Sequence, residues 1–492
     1  MSEKITRRSF VKGTAIAGAG AAMLGLSGCG YKDSAKALAE PKSETYDLVI
    51  IGSGGAGLTA AIEAHDKGIT NLLVIEKMPV CGGNSSHSSS GMNASETAAQ
   101  KAAGIEDTNE LFINDTYVGG HNVGDMDLIT YMCDNSNAAI EWLGSHDIVL
   151  DNLAKMGGAS VKRCHRPTDG SAVGLTLVPG LLANVQSRGI DVVYNQRVTS
   201  LLTDNGKVAG AHAVDTQTQQ ETDYHAKAVI IATGGFGYNR DMIRKYQPSI
   251  ADFPSTNTPG SQGDGIIIAQ KIGADTVGME YIQTHPTVEQ TTSTLVAEAI
   301  RGAGAILVNK DAQRFYNEEG TRDAVSAAEL EQPDKFSWCM YDANVHDKNK
   351  ACSKYDKMGL SKKADTVAGL AQACDLDPTA LQATVDAWNA IVAGDATDEF
   401  GRKPQETVQP FATAPFYAVK IAPGIHHTMG GVRVNDKTEV LKSDGTAIPG
   451  LFAAGEVTGG LHGANRLGGN AVCDIVVNGI NAGNHAAAYI NA

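Results

Sequence analysis

An α/β fold built on a parallel, Rossmann-like sheet, with chain enough for two domains, is predicted by three features of this sequence. A short apolar run, Asp47-Leu48-Val49-Ile50-Ile51, leads directly into Gly52-Ser53-Gly54-Gly55-Ala56-Gly57 and an Ala-rich stretch to about Lys67. That is the pattern of a buried strand, a tight turn and a helix. Glycine is abundant, at 55 of 492 residues, while aromatics are only 5%, which suits a backbone that must approach a ligand closely. Once an N-terminal leader is set aside, roughly 460 residues remain, too many for one core.

The leader is Thr6-Arg7-Arg8-Ser9-Phe10-Val11-Lys12, followed by a weakly apolar run from Gly13 to Leu26. It reads as a twin-arginine export signal whose apolar part is too short for a stable membrane span. It ends in Leu26-Ser27-Gly28-Cys29, which resembles the lipobox of bacterial lipoproteins. Residues 1–29 are therefore expected to be the signal, with a lipid anchor at Cys29. Residues 30–44, polar and without periodicity, are expected to be a tether. The expected location is the outer face of the cytoplasmic membrane, or the periplasm.

A second strand, Leu72-Leu73-Val74-Ile75, ends at Glu76. In such a unit the first glycine permits the tight turn, the second the approach of a pyrophosphate and the third the packing of helix on strand, while the acid binds ribose hydroxyls. Three further segments extend the site: Cys81-Gly82-Gly83-Asn84-Ser85-Ser86, the strand Ala228–Ile231 running into Ala232-Thr233-Gly234-Gly235, and Leu451-Phe452-Ala453-Ala454-Gly455-Glu456. Gly468-Gly469-Asn470-Ala471 opens the last helix, whose positive end can face the pyrimidine of a flavin. This spread from head to tail favours FAD. A nicotinamide site would need a second fingerprint, and none is found.

A formal charge of −15 argues against nucleic acid or an anionic membrane surface as a partner. Besides Cys29 the cysteines are Cys81, Cys133, Cys164, Cys339, Cys352, Cys374 and Cys473. They form no C-x-x-C pair, which argues against a zinc ribbon, an iron–sulfur cluster or attached haem. No metal is expected, most of these thiols are expected to be buried, and electrons must come from a separate donor.

Four blocks in the C-terminal half concentrate cations and imidazoles: Thr284-His285-Pro286-Thr287, Glu298-Ala299-Ile300-Arg301-Gly302, Thr321-Arg322-Asp323 and His426-His427-Thr428-Met429-Gly430-Gly431. Gly463-Ala464-Asn465-Arg466-Leu467 closes the set. Inside an acidic protein, these are groups that could grip a reducible carboxylate. Reducing a double bond beside a carboxylate needs a hydride on one carbon, a proton on the other and stabilisation of the carboxylate charge. An arginine fork matches a carboxylate bidentately. Three residues apart, Glu298 and Arg301 share a helix face and either relay a proton in series or form an intrahelical ion pair. Arg322 is either a site residue or a structural partner of Asp323 or Glu318.

Taken in order, these motifs resemble the soluble fumarate reductase family of FAD-dependent fumarate, urocanate and related enoate reductases, which includes flavocytochrome c, here without the haem domain. The likeness runs from about Tyr46 to the end and takes in Gly157-Gly158-Ala159-Ser160, Arg163-Cys164-His165-Arg166-Pro167 and Gly263-Asp264-Gly265. It implies a glutathione-reductase-type FAD domain formed by residues 45–284 and 428–492, interrupted by an α+β capping domain at 285–427. Within that insert, Asp377-Pro378 caps a helix whose inner face carries Leu381, Val385, Trp388 and Val392, and Gly394 ends it. Trp388 is expected to be core.

The resemblance also implies the site. FAD contacts fall at Gly52, Gly54, Ala56, Gly57, Glu76, Lys77, Gly83, Asn84, Ser85, Gly91, Met92, Asn93, Ala232, Thr233, Gly234, Asp264, Glu456, Asn470, Ala471 and Val472. Arg322 is the proton donor, and Glu298 and Arg301 are its relay. Arg466 and His427 hold one carboxylate of the substrate, His285 the second, and His426 is structural. Membrane-bound succinate dehydrogenases link FAD to a histidine, but the spacing of His87 to Gly91-Met92-Asn93 does not match, so FAD is expected to be non-covalent. Ala297 departs from the family's fumarate reductases, which carry Thr before the relay Glu.

The function so implied is reduction of an α,β-unsaturated carboxylate, fumarate or a close relative, in anaerobic respiration. The electron donor is then a cytochrome, a flavoprotein or a quinol-linked partner. Reduction of another enoate (urocanate, itaconate, methacrylate, cinnamate) or of a ketosteroid is an alternative. A non-catalytic flavin electron carrier is another.

Overall fold

The computed structural model describes residues 41–405 and 407–492. The twin-arginine signal, Cys29 and residues 30–40 of the expected tether lie outside the described residues. The first part of the chain supplies β1 (Lys42–Ile51), α1 (Gly55–Asp66), β2 (Leu72–Ile75), β3 (Asp191–Val193) and β4 (Glu221–Ile231). The middle supplies β5 (Ile282–Val288), α2 (Glu298–Gly302), β6 (Ile306–Val308), α3 (Arg322–Leu330), β7 (Ser337–Tyr341), α4 (Pro378–Ala393) and β8 (Phe416–Thr428). The last part returns with β9 (Ala447–Ala453) and α5 (Asn470–Asn491).

The main sheet runs β9-β4-β1-β2-β3, and every one of these neighbours is parallel. β1 and β2 are buried along Leu48–Ile51 and Leu72–Ile75, as strands covered on both faces must be. β1 is longer than the apolar run suggests. It begins at Lys42, so residues 42–44 are strand rather than tether, paired with Thr222, Asp223 and Tyr224 of β4. These residues are exposed, so their pairing leaves no hydrophobic signature in the sequence.

Residues of the middle segment form a second sheet, β5-β8-β7-β6, in which all of these neighbours are antiparallel. The buried apolar residues divide in the same way. One core draws on residues between Leu48 and Ile282 and between Ile425 and Ala487, and two smaller cores draw only on residues between Val296 and Ile421. α4 begins as its sequence predicts: the Asp377 carboxylate accepts from Ala380 N at 2.8 Å, Pro378 follows, and Gly394 ends the helix at φ +82°. Leu381, Val385 and Trp388 are buried and Val392 is half-buried. Trp388 is core, with the guanidinium groups of Arg402 and Arg314 at 4.4 and 4.8 Å from its ring. Six of the seven described cysteines are buried, and Cys81 is half-buried.

Candidate active site

The turn after β1 shows why each glycine of its fingerprint is glycine. Gly52 has φ +108°, and a Cβ there would stand 2.4 Å from the Ala232 carbonyl. A Cβ on Gly57 would stand 1.9 Å from the Gly52 carbonyl, so α1 can lie on the strand only without it. Gly54 is different: the nearest protein atoms to a Cβ there are 3.9 Å away. No protein contact explains Gly54, and it borders an open cleft of about 870 Å³. A side chain there would fill space that a ligand's pyrophosphate needs.

The cleft is walled by Gly52, Gly54, Ala56, Glu76, Lys77, Gly83, Asn84, Ser85, Ala232, Thr233, Gly234, Asp264 and Glu456 among the expected contacts. Glu76 also braces the turn. Its carboxylate accepts from Ser53 N and Oγ at 3.0 and 2.6 Å and from Met78 N at 2.8 Å. Lys77 pairs with Asp264 at 2.5 Å, and Arg197 reaches the other oxygen of Asp264 at 2.7 Å. Gly57, Gly91, Met92, Asn93, Asn470, Ala471 and Val472 are not among the wall residues. Asn93 and Asn470 do meet, Asn93 Nδ2 donating to Asn470 Oδ1 at 2.7 Å and to the Gly468 carbonyl at 2.8 Å. Gln196, Val198, Thr258, Gly260 and Ser261 line the cleft without having been expected, since none belongs to a glycine fingerprint.

Two links lead from the cleft to the cation cluster. Asn84 Nδ2 donates to Asn257 Oδ1 at 2.6 Å, and Asn257 Nδ2 donates to the His426 carbonyl at 2.7 Å. The Glu456 carboxylate accepts from Thr428 N at 3.0 Å and lies 3.7 Å from His427 Nδ1.

In the cluster, Arg322 Nε donates to Glu298 Oε2 at 2.9 Å, and the backbone N–H of Gly157 donates to Glu298 Oε1 at 2.9 Å. Gln283, which the sequence reading passed over, joins the two arginines. Its Oε1 accepts from Arg322 Nη1 at 3.2 Å, and its Nε2 donates to the Arg466 carbonyl at 2.7 Å and to Asn465 Oδ1 at 2.6 Å. Gln283 and His285 are alternate residues of β5, hence on one face of the strand. A polar pair at that spacing in a buried strand was the signal available.

Neither structural partner considered for Arg322 holds it: Asp323 pairs with His121 at 2.7 Å, and Glu318 pairs with Arg314 and Arg402. Glu298 and Arg301 are not hydrogen-bonded to each other, as a direct series or an intrahelical pair requires. Arg301 Nη1 donates instead to the Glu318 carbonyl, while its Nε and Nη2 have no partner. Each has a competing partner: both oxygens of Glu298 are taken by Arg322 and Gly157, and Arg301 is held by the Glu318 carbonyl.

The site is buried, and cationic groups outnumber the carboxylates that contact them. Arg301 is 1% exposed, His285 0%, and Arg466 and His427 5% each. Arg301 Nε and Nη2, Arg466 Nε, His285 Nε2 and His427 Nε2 are buried donors or acceptors without protein partners. Native proteins rarely leave such groups unpaired unless a ligand or water completes them. Burial, reinforced by neighbouring arginine charges, lowers the pKa of His285, His426 and His427 well below the usual histidine range, so all three are neutral. Burial alone would raise Glu298, but Arg322, Arg301 and the Gly157 N–H outweigh it and hold the carboxyl at about 2.

The two adjacent histidines face different ways. The His426 ring stands edge-on to His285 at 5.3 Å, and its Nδ1 pairs with Thr256 Oγ1 at 2.7 Å. The His427 ring meets His462 at 5.3 Å and lies against Glu456. His426 is thus the neighbour of His285, a position the structural role expected for it does not require. His427 lies on the side of the cleft.

A glycine-cradled dinucleotide cleft joined to a desolvated cation cluster defines a class of protein, the Rossmann-type flavin-dependent oxidoreductases. A family profile described as an FAD binding domain matches residues 47–472. NADH:fumarate oxidoreductase of Klebsiella pneumoniae (strain 342) is 46% identical over 449 residues, covering 91% of this chain and 48% of that protein. The chain thus spans about half the length of that relative. Fumarate reductase (cytochrome) of Shewanella frigidimarina is 42% identical over 453 residues, covering 92% of this chain and 79% of that one. The solved open conformation of a flavocytochrome c3 fumarate reductase superposes with a TM-score of 0.78 at 41% identity, covering 94% of this chain and 82% of that chain. The chain belongs to this family of fumarate reductase-like flavoproteins: it binds FAD and is an oxidoreductase of the kind that acts on CH–CH bonds.

Proposed function

We propose that this protein reduces the double bond of an α,β-unsaturated dicarboxylate, fumarate or a close relative, to the saturated acid. The observation that carries this reading is the convergence of Arg322 and Arg466, whose charges bear on each other and whose residues Gln283 bridges through the Arg466 backbone carbonyl, among buried polar nitrogens that have no partner. Arg322 is paired with Glu298, but Arg466 touches no carboxylate among the described residues, so a neutral substrate would leave a buried guanidinium without a countercharge, at considerable cost. A dicarboxylate supplies it.

Bound FAD supplies a hydride to one alkene carbon. Arg466 and His427 hold the carboxylate nearer the cleft, and His285, with His426 beside it, holds the distal one. Neutral imidazoles serve as donors without adding charge that burial would penalise. Arg322 protonates the other carbon, a feasible step for a guanidinium because the carbon it meets is itself strongly basic. Loss of that proton removes the larger of the two arginine charges that keep Glu298 ionised. Glu298 thereby becomes able to pass the next proton from the side of Arg301.

In the same reading, residues 285–427 form the cap that excludes water from the site, and residues 45–284 with 428–492 form the FAD domain. FAD is held without a covalent bond. His87 is exposed and is not called on to attach it. The protein is exported by the twin-arginine route and anchored through Cys29, and it receives electrons from a separate cytochrome, flavoprotein or quinol-linked donor. Cys29→Ser would then leave membrane fractions; unchanged membrane association would refute the anchor.

One observation favours a relative of fumarate over fumarate itself. Ala297 is the residue immediately before α2, is 7% exposed, and offers no side-chain hydrogen bond at the helix start, so this position supplies no hydroxyl to the site. A lost hydrogen bond to a charged group is worth about 1.5–3 kcal/mol. The experiment is steady-state reduction of fumarate, itaconate, methacrylate, urocanate and cinnamate with a chemical electron donor. Turnover of a dicarboxylate supports the reading, preference for urocanate or cinnamate reassigns the distal pocket, and turnover of none refutes it.

A further inference from the structure

If Arg322, Glu298 and Arg301 conduct protons, as the proposed function requires, the protons must enter from water, and two of the three are sealed. Arg301 and Arg322 are 1% and 7% exposed. The residues immediately before Arg322 form a turn that lies over both ends of the relay. The carbonyl of Glu318 in this turn accepts from Arg301 Nη1. A Cβ on Gly157, the residue whose N–H holds Glu298, would stand 3.2 Å from Glu298 Oε1 and 3.2 Å from the carbonyl oxygen of Glu319. The side chain of Glu319 faces the end of α2. Its Oε1 is sealed from solvent without a hydrogen-bond partner, and it lies 3.9 Å from the position of a Cβ on Gly302, the residue after Arg301. Unlike Arg301 and Arg322, Glu319 is part-exposed.

We propose that Glu319 is the proton-uptake group of this protein, taking a proton from water and handing it to the Arg301–Glu298 end of the relay. The balance is simple. In each turnover one N–H bond of Arg322 is lost as one C–H bond of the product forms. Arg322 regains its proton from Glu298, Glu298 regains one from Arg301 across a bridging water, since the two are not directly hydrogen-bonded, and Glu319 loses one proton inward and gains one from solvent. No electrons move along this path.

The neighbours of Glu319 fit the role. Burial raises its pKa, while Arg402, Lys155 and Gln405 pull it down and Glu318 pushes it up, leaving it above the usual range. It therefore keeps a proton to give at higher pH than a surface acid does. Glu318 is committed to Arg314 and Arg402. Glu329, a carboxyl that does feel the charge of Arg301, is 0% exposed and accepts from Ser337 Oγ, with no opening to water.

The test is made on the full chain with FAD bound. Flavin is reduced first, and its reoxidation by an accepted enoate is followed in wild type, Glu319→Gln and Glu319→Asp over a range of pH and of imidazolium, a cationic acid with no affinity for an arginine-lined site. The expected result is at least about a tenfold slower Gln variant above neutral pH, with unchanged FAD content, with the rate restored by rising imidazolium, and with Asp close to wild type. A Gln variant as fast as wild type at every pH overturns the proposal. So does a slow Gln variant that imidazolium does not rescue, because a structural role gives that result. A wild-type flavin that no enoate reoxidises removes the proposed function itself, and this inference with it.

Discussion

Arg322 Nε and Glu298 Oε2 are 2.9 Å apart, and the second oxygen of Glu298 is held by the N–H of Gly157. The geometry fixes a cation at the rim of the anion site and places an ionised carboxylate behind it. The guanidinium is therefore aimed by a partner on a different element, α2, rather than by its own helix.

Replacing Arg322 with Ala is expected to lower enoate reduction by about 10²–10⁴, the usual contribution of a positioned acid. FAD content and reduction of the flavin by dithionite stay as in wild type. Loss of FAD from the variant would show that the residue is structural.

Two glycines of one turn are expected to fail differently. Gly57→Ala drives a Cβ into the Gly52 carbonyl and should prevent folding or lower the Tm sharply. Gly54→Ala meets no protein atom within 3.8 Å, so the apoprotein keeps or gains up to about 1 kcal/mol of stability, while FAD affinity falls. Thermal unfolding with and without added FAD separates the two; equal FAD stabilisation in wild type and Gly54→Ala would contradict the pyrophosphate assignment.

The fingerprint around Gly52, the caps of α4 and the motifs around Glu298 and Arg322 were legible because local chemistry dictates them: positive φ, an N-cap carboxylate, a charged group in an apolar block. Gln283 and the edge of β1 were not. Lys42–Thr45 are strand because β4 lies beside them, and an exposed pairing leaves no periodicity. Gln283 gains its meaning from Arg322 and Arg466, which are distant in sequence. His426 and His427 carry different expected roles, structure for His426 and substrate contact for His427, but not by strand periodicity: the register of β8 against β5 shifts between Ile425 and Thr428, so simple alternation does not assign their faces. The missing hydrogen bond between Glu298 and Arg301 reflects tertiary competition from the Glu318 carbonyl.

Acid stability should carry the mark of Glu298. Its folded pKa, about 2, lies below the ordinary 4.5, so the carboxylate contributes stability that is complete above about 4.5 and is lost as pH falls toward 2. Glu298→Gln should flatten the fall in stability across that window, read by denaturant unfolding at a series of pH values. An unchanged slope would mean that the ion pair with Arg322 gives no net stabilisation.

Ala297→Thr tests the distal pocket. As the residue before α2, a threonine there adds an N-cap worth about 0.5–2 kcal/mol and a hydroxyl toward the site. A higher Tm together with a KM for fumarate lowered about tenfold is expected. A higher Tm with unchanged KM would show that the hydroxyl caps the helix and does not reach substrate.

The most direct test of a site built for a double anion is the rate at which fumarate and its dimethyl ester reoxidise the reduced, FAD-loaded protein without oxygen. The ester keeps the activated double bond and removes both charges. Rapid reoxidation by fumarate and little or none by the ester is the result that Arg322, Arg466 and the neutral histidines predict. Equal rates, or reoxidation by the ester alone, would contradict it.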